Sequence, residues 1–207
     1  MADCGLSASR SPVRLWLSPQ RADQSGRWSA NWQSSRAPGA VGIAGGTEKC
    51  ALVKDELRFD AAVDHRAADF PAQLAAACPN GIDVYFENVG GAVWQAVLPL
   101  LNKYARIPVC GLIAQCNGAT GNDGTDRLRA TMREIMSTSL TSRGFINYDF
   151  AAQYYAGFLR EVGAGIADGS IRYREHIVDG LENAPEAFIG MLDGRNFGKL
   201  IVRVGAV

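Results

Sequence analysis

A chain of 207 residues with 47% apolar content can bury a sizeable core in one large domain or one and a half. Its 21 basic and 21 acidic residues cancel and are dispersed, which excludes the charge footprint of a nucleic-acid or membrane-surface binder. Five scattered cysteines without a CxxC pair and two histidines, His65 and His176, supply a zinc site poorly; they fit the reduced thiols of a cytoplasmic protein.

No apolar run reaches transmembrane length, and no signal-peptide core stands at the front. Residues 1–40 hold five Arg and no Lys, eight Ser and three of the four Trp, with neither helical nor strand period. From Val41 onward strands and helices alternate. The segment 40–46 reads as a small apolar strand ending in Gly45 and Gly46, with Thr47 as N-cap of a helix over 48–57. A nucleotide fold that prefers NAD places an acid at this strand end to hold the ribose hydroxyls. Here glycines stand there and Lys49 follows in the first helical turn, which favours the 2′-phosphate of NADP; read alone, Lys49 is a solvated helix lysine.

A strand over 61–64 runs into His65 and Arg66, and a helix over 70–78 stops at Pro79-Asn80-Gly81. The next stretch organises the chain. Ile82, Val84 and Phe86 alternate with Asp83 and Tyr85, then Glu87-Asn88-Val89-Gly90-Gly91 turns into a helix over 92–101. In an open α/β sheet ligands sit at the carboxyl ends of strands. The glycines let a ligand approach the backbone, and Asn88 offers a donor and an acceptor. The plain alternative is an ordinary strand-to-helix turn.

A strand over 105–111 carries Pro108, which suits a sheet edge, and leads into a glycine- and asparagine-rich loop over 111–124. A helix over 127–136, a strand over 140–147 and a long helix over 150–167 follow, the last with Tyr154, Phe158, Val162 and Ile166 as a core face. Asp168-Gly169 ends that helix. A strand over 171–178, a short helix capped by Asn183 with Pro185 in its first turn and closed by Gly194, and a strand over 198–204 complete the chain. Repeated strand–helix units predict an α/β fold with a mostly parallel, doubly wound sheet of five or six strands. No G-x-G-x-x-G follows an early strand, so the loop whose amides hold a pyrophosphate is missing from the sequence.

The set AGGTEK (44–49), FDAAVDHR (59–66), PNGIDVYFENVGG (79–91), ARIPVCGLIAQCN (105–117) and LDGRNFGKLIV (192–202) resembles the zinc-independent medium-chain dehydrogenase/reductases. Within them it resembles the prostaglandin reductase, leukotriene dehydrogenase and curcumin reductase group, over about 41–204. The resemblance implies a Rossmann-like sheet, incomplete at its N-terminal strand and glycine loop, with a C-terminal strand–helix–strand return. It implies an atypical segment over 1–40, an NADP-binding domain over 41–170, and a segment over 171–207 on the side of the substrate domain. Lys49 would meet the 2′-phosphate and His65 the phosphate and ribose side. Asn88 would line the cleft, Cys110, Gly111, Leu112 and Ile113 would pass the nicotinamide, Phe145 and Ile146 would flank it, and Asn196 would bond the cofactor. Cys116 would lie on the substrate side, as an inert thiol since no histidine or asparagine partner is evident. His65 and Cys116 stand where relatives tend to carry tyrosine.

The implied reaction is reduction by NADPH of the carbon–carbon double bond of an enone or alkenal, with no nucleic-acid or membrane partner and a homodimer as the assembly. A non-catalytic nucleotide-binding module and a quinone reductase of the same superfamily are the alternatives. A methyltransferase would need an acid where Gly45-Gly46 stand. Shifting the reading of 14–39 by two nucleotides, with GC-rich codons, turns it into an apolar strand, a glycine turn and a helix. Residues 1–40 are therefore expected to be read out of frame, with a genuine N-terminal extension as the rival; an intact, differently spliced or naturally read front end in the genomic sequence overturns the frame slip. Each hydrogen bond to a charged phosphate is worth about 1.5–3 kcal/mol. Without two or three of them NADPH binding is expected to lose roughly 3–9 kcal/mol, and turnover to be low.

Overall fold

The computed structural model describes residues 14–17, 39–115 and 127–205. Six strands form one parallel sheet in the order β3-β2-β1-β4-β5-β6, the doubly wound order. They are β1 (Arg14–Leu17), β2 (Ala40–Ala44), β3 (Ala61–Asp64), β4 (Ile82–Phe86), β5 (Leu101–Val109) and β6 (Thr141–Gly144). Among them run α1 (Thr47–Ala51), continued by a π-helical turn at Leu52–Glu56, then α2 (Phe70–Ala77), α3 (Gly91–Val97), α4 (Leu128–Ser137) and α5 (Tyr148–Ala167). A separate parallel pair, β7 (Glu175–Asp179) and β8 (Lys199–Arg203), is joined through α6 (Ala184–Leu192). This is the expected strand–helix–strand return.

Both faces of the sheet are covered, as a parallel sheet requires. On one face Val41, Ile43, Val63, Ile82, Tyr85 and Ile107 pack with Phe70, Leu74, Val93 and Val97. On the other, Ala40 and Ala44 pack with Leu52, Val53, Leu57 and Phe59. Alternate residues of β2 therefore feed opposite layers. The same two-sided cover serves β4, where Tyr85 is fully buried in the first layer and its neighbour Phe86 packs against the second.

Four expectations meet a different structure. The centre of the sheet is not empty: Arg14–Leu17 pairs in parallel with β2 (Leu15 opposite Val41) and with β4 (Leu15 opposite Tyr85). A four-residue strand inside an aperiodic segment leaves no pattern, and main-chain pairing asks nothing of side-chain identity. The N-cap of α1 is Gly46 at φ 92, not Thr47, because the tight glycine corner hands over to the helix one residue earlier. β5 is interior rather than an edge, and Pro108 serves there through its carbonyl, which accepts from Glu87 N at 2.9 Å. On α5, Val162 is buried but Tyr154 and Phe158 are 56% and 47% exposed. Their periodicity reported an apolar face, and a face need not be covered by the rest of the chain.

Other local signals hold. Asn183 takes the N-cap place of α6, though its Nδ2 donates back to the Asp179 carbonyl, and Gly194 at φ 72 closes that helix. The segment 116–126, with Cys116, lies outside the described residues. Among the described residues no helix is long and apolar enough to cross a membrane.

Candidate functional site

Two clusters form at the carboxyl ends of the strands. The first surrounds the corner after β2. Asp64 Oδ1, at the end of β3, accepts from Gly46 N and Arg66 N, both at 2.9 Å, and so ties the β2 corner to the β3 corner. Burial alone would raise the Asp64 carboxyl, but these two N–H groups and the nearby His65 and Arg66 hold it below the usual range. Gly45 is buried, and a Cβ there would stand 2.9 Å from His65 Nε2 and 3.0 Å from Arg66 Nε. Only glycine lets both side chains close over the corner. Burial, then the charges of Arg66 and Lys49, lower the His65 pKa, so His65 rests neutral among cations. Lys49 Nζ donates to the Gly194 carbonyl at 2.7 Å, and Arg66 reaches the Asp193 carbonyl at 3.4 Å. The turn before β8 is thereby held against the same corner.

The second cluster surrounds the turn after β4. Cys110 N and Gly111 N both donate to the Glu87 carbonyl, at 2.9 and 3.3 Å, and Ile113 N donates to the Asn88 carbonyl at 3.3 Å. The end of β5 thus runs alongside the glycine turn. A Cβ on Gly111 would lie 2.6 Å from Asn88 Oδ1, so the Asn88 side chain rests directly on that backbone. Phe145 N donates to the Val109 carbonyl at 3.2 Å, and its ring meets Phe86 edge-on with centroids 6.0 Å apart.

The expected site residues therefore fall into place unevenly. Lys49 and His65 share the first cluster; Asn88, Cys110, Gly111 and Ile113 share the second, with Leu112 half-exposed beside them and Phe145 adjoining. Ile146 stands apart at 65% exposure. Asn196 is 3% exposed on the 193–198 loop; its Nδ2 donates to Gly198 O at 2.8 Å, while Oδ1 finds no partner among the described residues. It borders a cavity of about 310 Å³, shared with His176, Asn183, Glu186 and Arg195. Two residues escaped the sequence reading. Arg66 was marked only as the neighbour of His65, and Glu87 only as one member of a turn; an acid between an apolar strand and paired glycines was the available signal.

The donor set fits a phosphorylated dinucleotide. Lys49 and Arg66 bring cationic donors, and His65 a neutral imidazole, to the corner where a ribose phosphate belongs, and glycines rather than an acid end β2 there. The orphaned Asn196 Oδ1 is a buried acceptor awaiting a donor. Among the described residues no group of three His, Cys, Asp or Glu could hold a metal ion.

Comparison with known proteins agrees with this arrangement. Residues 57–202 match a family model described as zinc-binding dehydrogenase. An NADPH-dependent curcumin reductase of Escherichia coli (strain K12) is 51% identical over 164 residues, covering 79% of this chain and 48% of that protein. A 2-alkenal reductase (NADP(+)-dependent) of Nicotiana tabacum is 38% identical over 165 residues, covering 79% and 46%. The crystal structure of CurA in complex with NADPH from Vibrio vulnificus superposes with a TM-score of 0.87 at 44% identity, covering 96% of this chain and 59% of that one. The chain spans about half the length of the curated relatives it matches.

Proposed function

The chain belongs to the zinc-binding dehydrogenase family of medium-chain dehydrogenase/reductases, and from that premise we propose that it holds NADPH for the reduction of α,β-unsaturated ketones or aldehydes. The observation that carries this reading is the gathering of Lys49, His65 and Arg66 over the Gly45-Gly46 corner. Similarity to a curcumin reductase and a 2-alkenal reductase supports the substrate class.

NADPH, when bound, supplies a hydride equivalent for the β-carbon of the substrate. The chain's own residues bind and orient. Lys49 and Arg66 balance the 2′-phosphate charge, and His65 adds a neutral imidazole that can take a proton as phosphate approaches. Asn88, seated on Gly111, offers its amide to the nicotinamide half, and the Cys110–Ile113 backbone forms the wall beside it. Phe145 and Phe86 keep water from that wall with apolar edges. Residues 41–170, joined by β1, make up the NADP side, and 171–207 faces the substrate side. Cys50 and Cys78 carry free thiols, the latter pushed up to about 11 by burial, which supports a cytoplasmic setting.

Titration of purified protein with NADPH and NADH, followed by a panel of enones and quinones, tests this. Saturable binding that favours NADPH at least about tenfold is expected, with any turnover faster on enones. Equal affinity for both dinucleotides overturns the cofactor reading. Faster turnover of quinones moves the chain to the quinone reductases, and binding without turnover leaves it a nucleotide-binding module.

The assembly we favour is a homodimer. Among the described residues β6 pairs only with β5, and its four residues are exposed, so the sheet ends there in an open edge that a second copy can extend. Light scattering at micromolar concentration should return twice the chain mass; a monomer at that concentration rules the dimer out.

A further inference from the structure

The carboxyl group of Glu87 has no place in the reading above, although it is the most buried acid among the described residues at 3% exposure. It follows β4 directly. Its Oε1 accepts from Val89 N at 2.7 Å and from Gly90 N at 2.8 Å, closing the turn on itself. Its main chain closes the turn onto the next strand: Glu87 N donates to Pro108 O at 2.9 Å, and Glu87 O accepts from Cys110 N and Gly111 N. One residue thus fixes both walls of the second cluster. Asn88 and Val89 complete the clasp through their carbonyls, which accept from Ile113 N and Ala114 N.

The turn needs a clasp. Gly90 and Gly91 have φ values of 75 and 58, a left-handed pair that has no local reason to hold one conformation. α3 is a single short helix with no side-chain cap, so its entry is not fixed from within. A carboxylate that accepts two amides is a charge-assisted clamp in a region shielded from water. Burial raises the Glu87 carboxyl, while the amides of Val89, Gly90 and Asn88 and the neighbouring Tyr85 oppose the rise. The Tyr85 hydroxyl is itself buried beside the carboxyl, near enough for each to shift the other, although it completes no hydrogen bond of good geometry.

We propose that Glu87 is a positioning residue: its carboxylate closes the Val89-Gly90 turn, its main chain ties that turn to the Cys110-Gly111 backbone, and together they present Asn88 to the nicotinamide half of the dinucleotide. This rests on the NADPH reading for its ligand, but the clamp itself is a property of the turn. Touching no reacting atom, Glu87 acts through Asn88.

Two variants and two ligands test it. Glu87→Ala removes both acceptors, whereas Glu87→Gln keeps an Oε1 acceptor of the same reach without the charge. Adenosine 2′,5′-bisphosphate engages the basic corner alone, and NADPH engages corner and wall. Expected for Glu87→Ala is a loss of about tenfold or more in NADPH affinity with unchanged affinity for the bisphosphate, and partial recovery in Glu87→Gln. Amide hydrogen exchange at Val89 and Gly90, whose partner is the side chain, should quicken at least about tenfold in the alanine variant and less in the glutamine variant. Unchanged exchange at these amides overturns the clamp, as does an equal loss of both ligands. If Glu87→Ala does not fold, Glu87→Gln must still separate the two ligands in the same direction, and equal affinities there overturn the proposal. If the unaltered chain binds neither ligand, the NADPH reading fails, and the exchange rates alone judge Glu87.

Discussion

Replacing Lys49 by alanine weakens NADPH binding by about ten- to a hundredfold more than it weakens NADH binding. A charge-assisted hydrogen bond to phosphate is worth about 1.5–3 kcal/mol, and each 1.4 kcal/mol is about a decade. Lys49 is half-buried in the corner beside His65 and Arg66, so its charge is less screened than that of a surface lysine. Its ammonium also donates to Gly194 O, so the substitution loosens the 193–195 turn. That second effect would weaken both dinucleotides alike, and the NADH arm therefore separates it. Lys49→Arg should recover most of the loss, because a guanidinium serves a phosphate at least as well. Equal weakening of NADPH and NADH would move the phosphate contact away from Lys49.

Ile43→Ala should cost about 2–5 kcal/mol of folding stability, against a total of about 5–15 kcal/mol for an ordinary domain. Ile43 is 0% exposed in β2, between β1 and β3, and packs into the larger of the two core clusters. Truncation leaves a cavity that close-packed neighbours fill only in part. The urea midpoint should fall with the slope unchanged. Ile146→Ala is the control: at 65% exposure it should shift stability by no more than about 0.5 kcal/mol. Similar losses at the two positions would contradict the placement of β2 within the sheet.

Residue chemistry exposed its function earlier than its geometry. The Gly45-Gly46-Thr47-Glu48-Lys49 corner and the Glu87–Gly91 turn were legible because paired glycines at a strand end have one strong physical use, a tight corner whose backbone a ligand can approach. The parallel α/β class was legible for the same local reason, since strand and helix periods alternate from 40 onward. Arg14–Leu17 was not legible. A strand in the middle of a sheet is specified by the two neighbours that leave a slot for it, and its register partners lie 26 residues further on in β2 (Arg14 with Ala40, Leu17 with Ile43) and 70 further on in β4 (Arg14 with Val84, Trp16 with Phe86).

The amino-acid order by itself determined the fold class, the alternation of elements from 40 onward and the placing of Lys49 beside the glycine corner, because backbone preference and side-chain charge act over a few residues. Only the tertiary structure decided that Arg66 joins Lys49 and His65, that the Glu87 main chain pairs with Pro108, Cys110 and Gly111, and that Tyr154 and Phe158 of α5 stay exposed. Each of those outcomes depends on which distant element comes to lie alongside, and burial and hydrogen bonding are settled there and not along the chain.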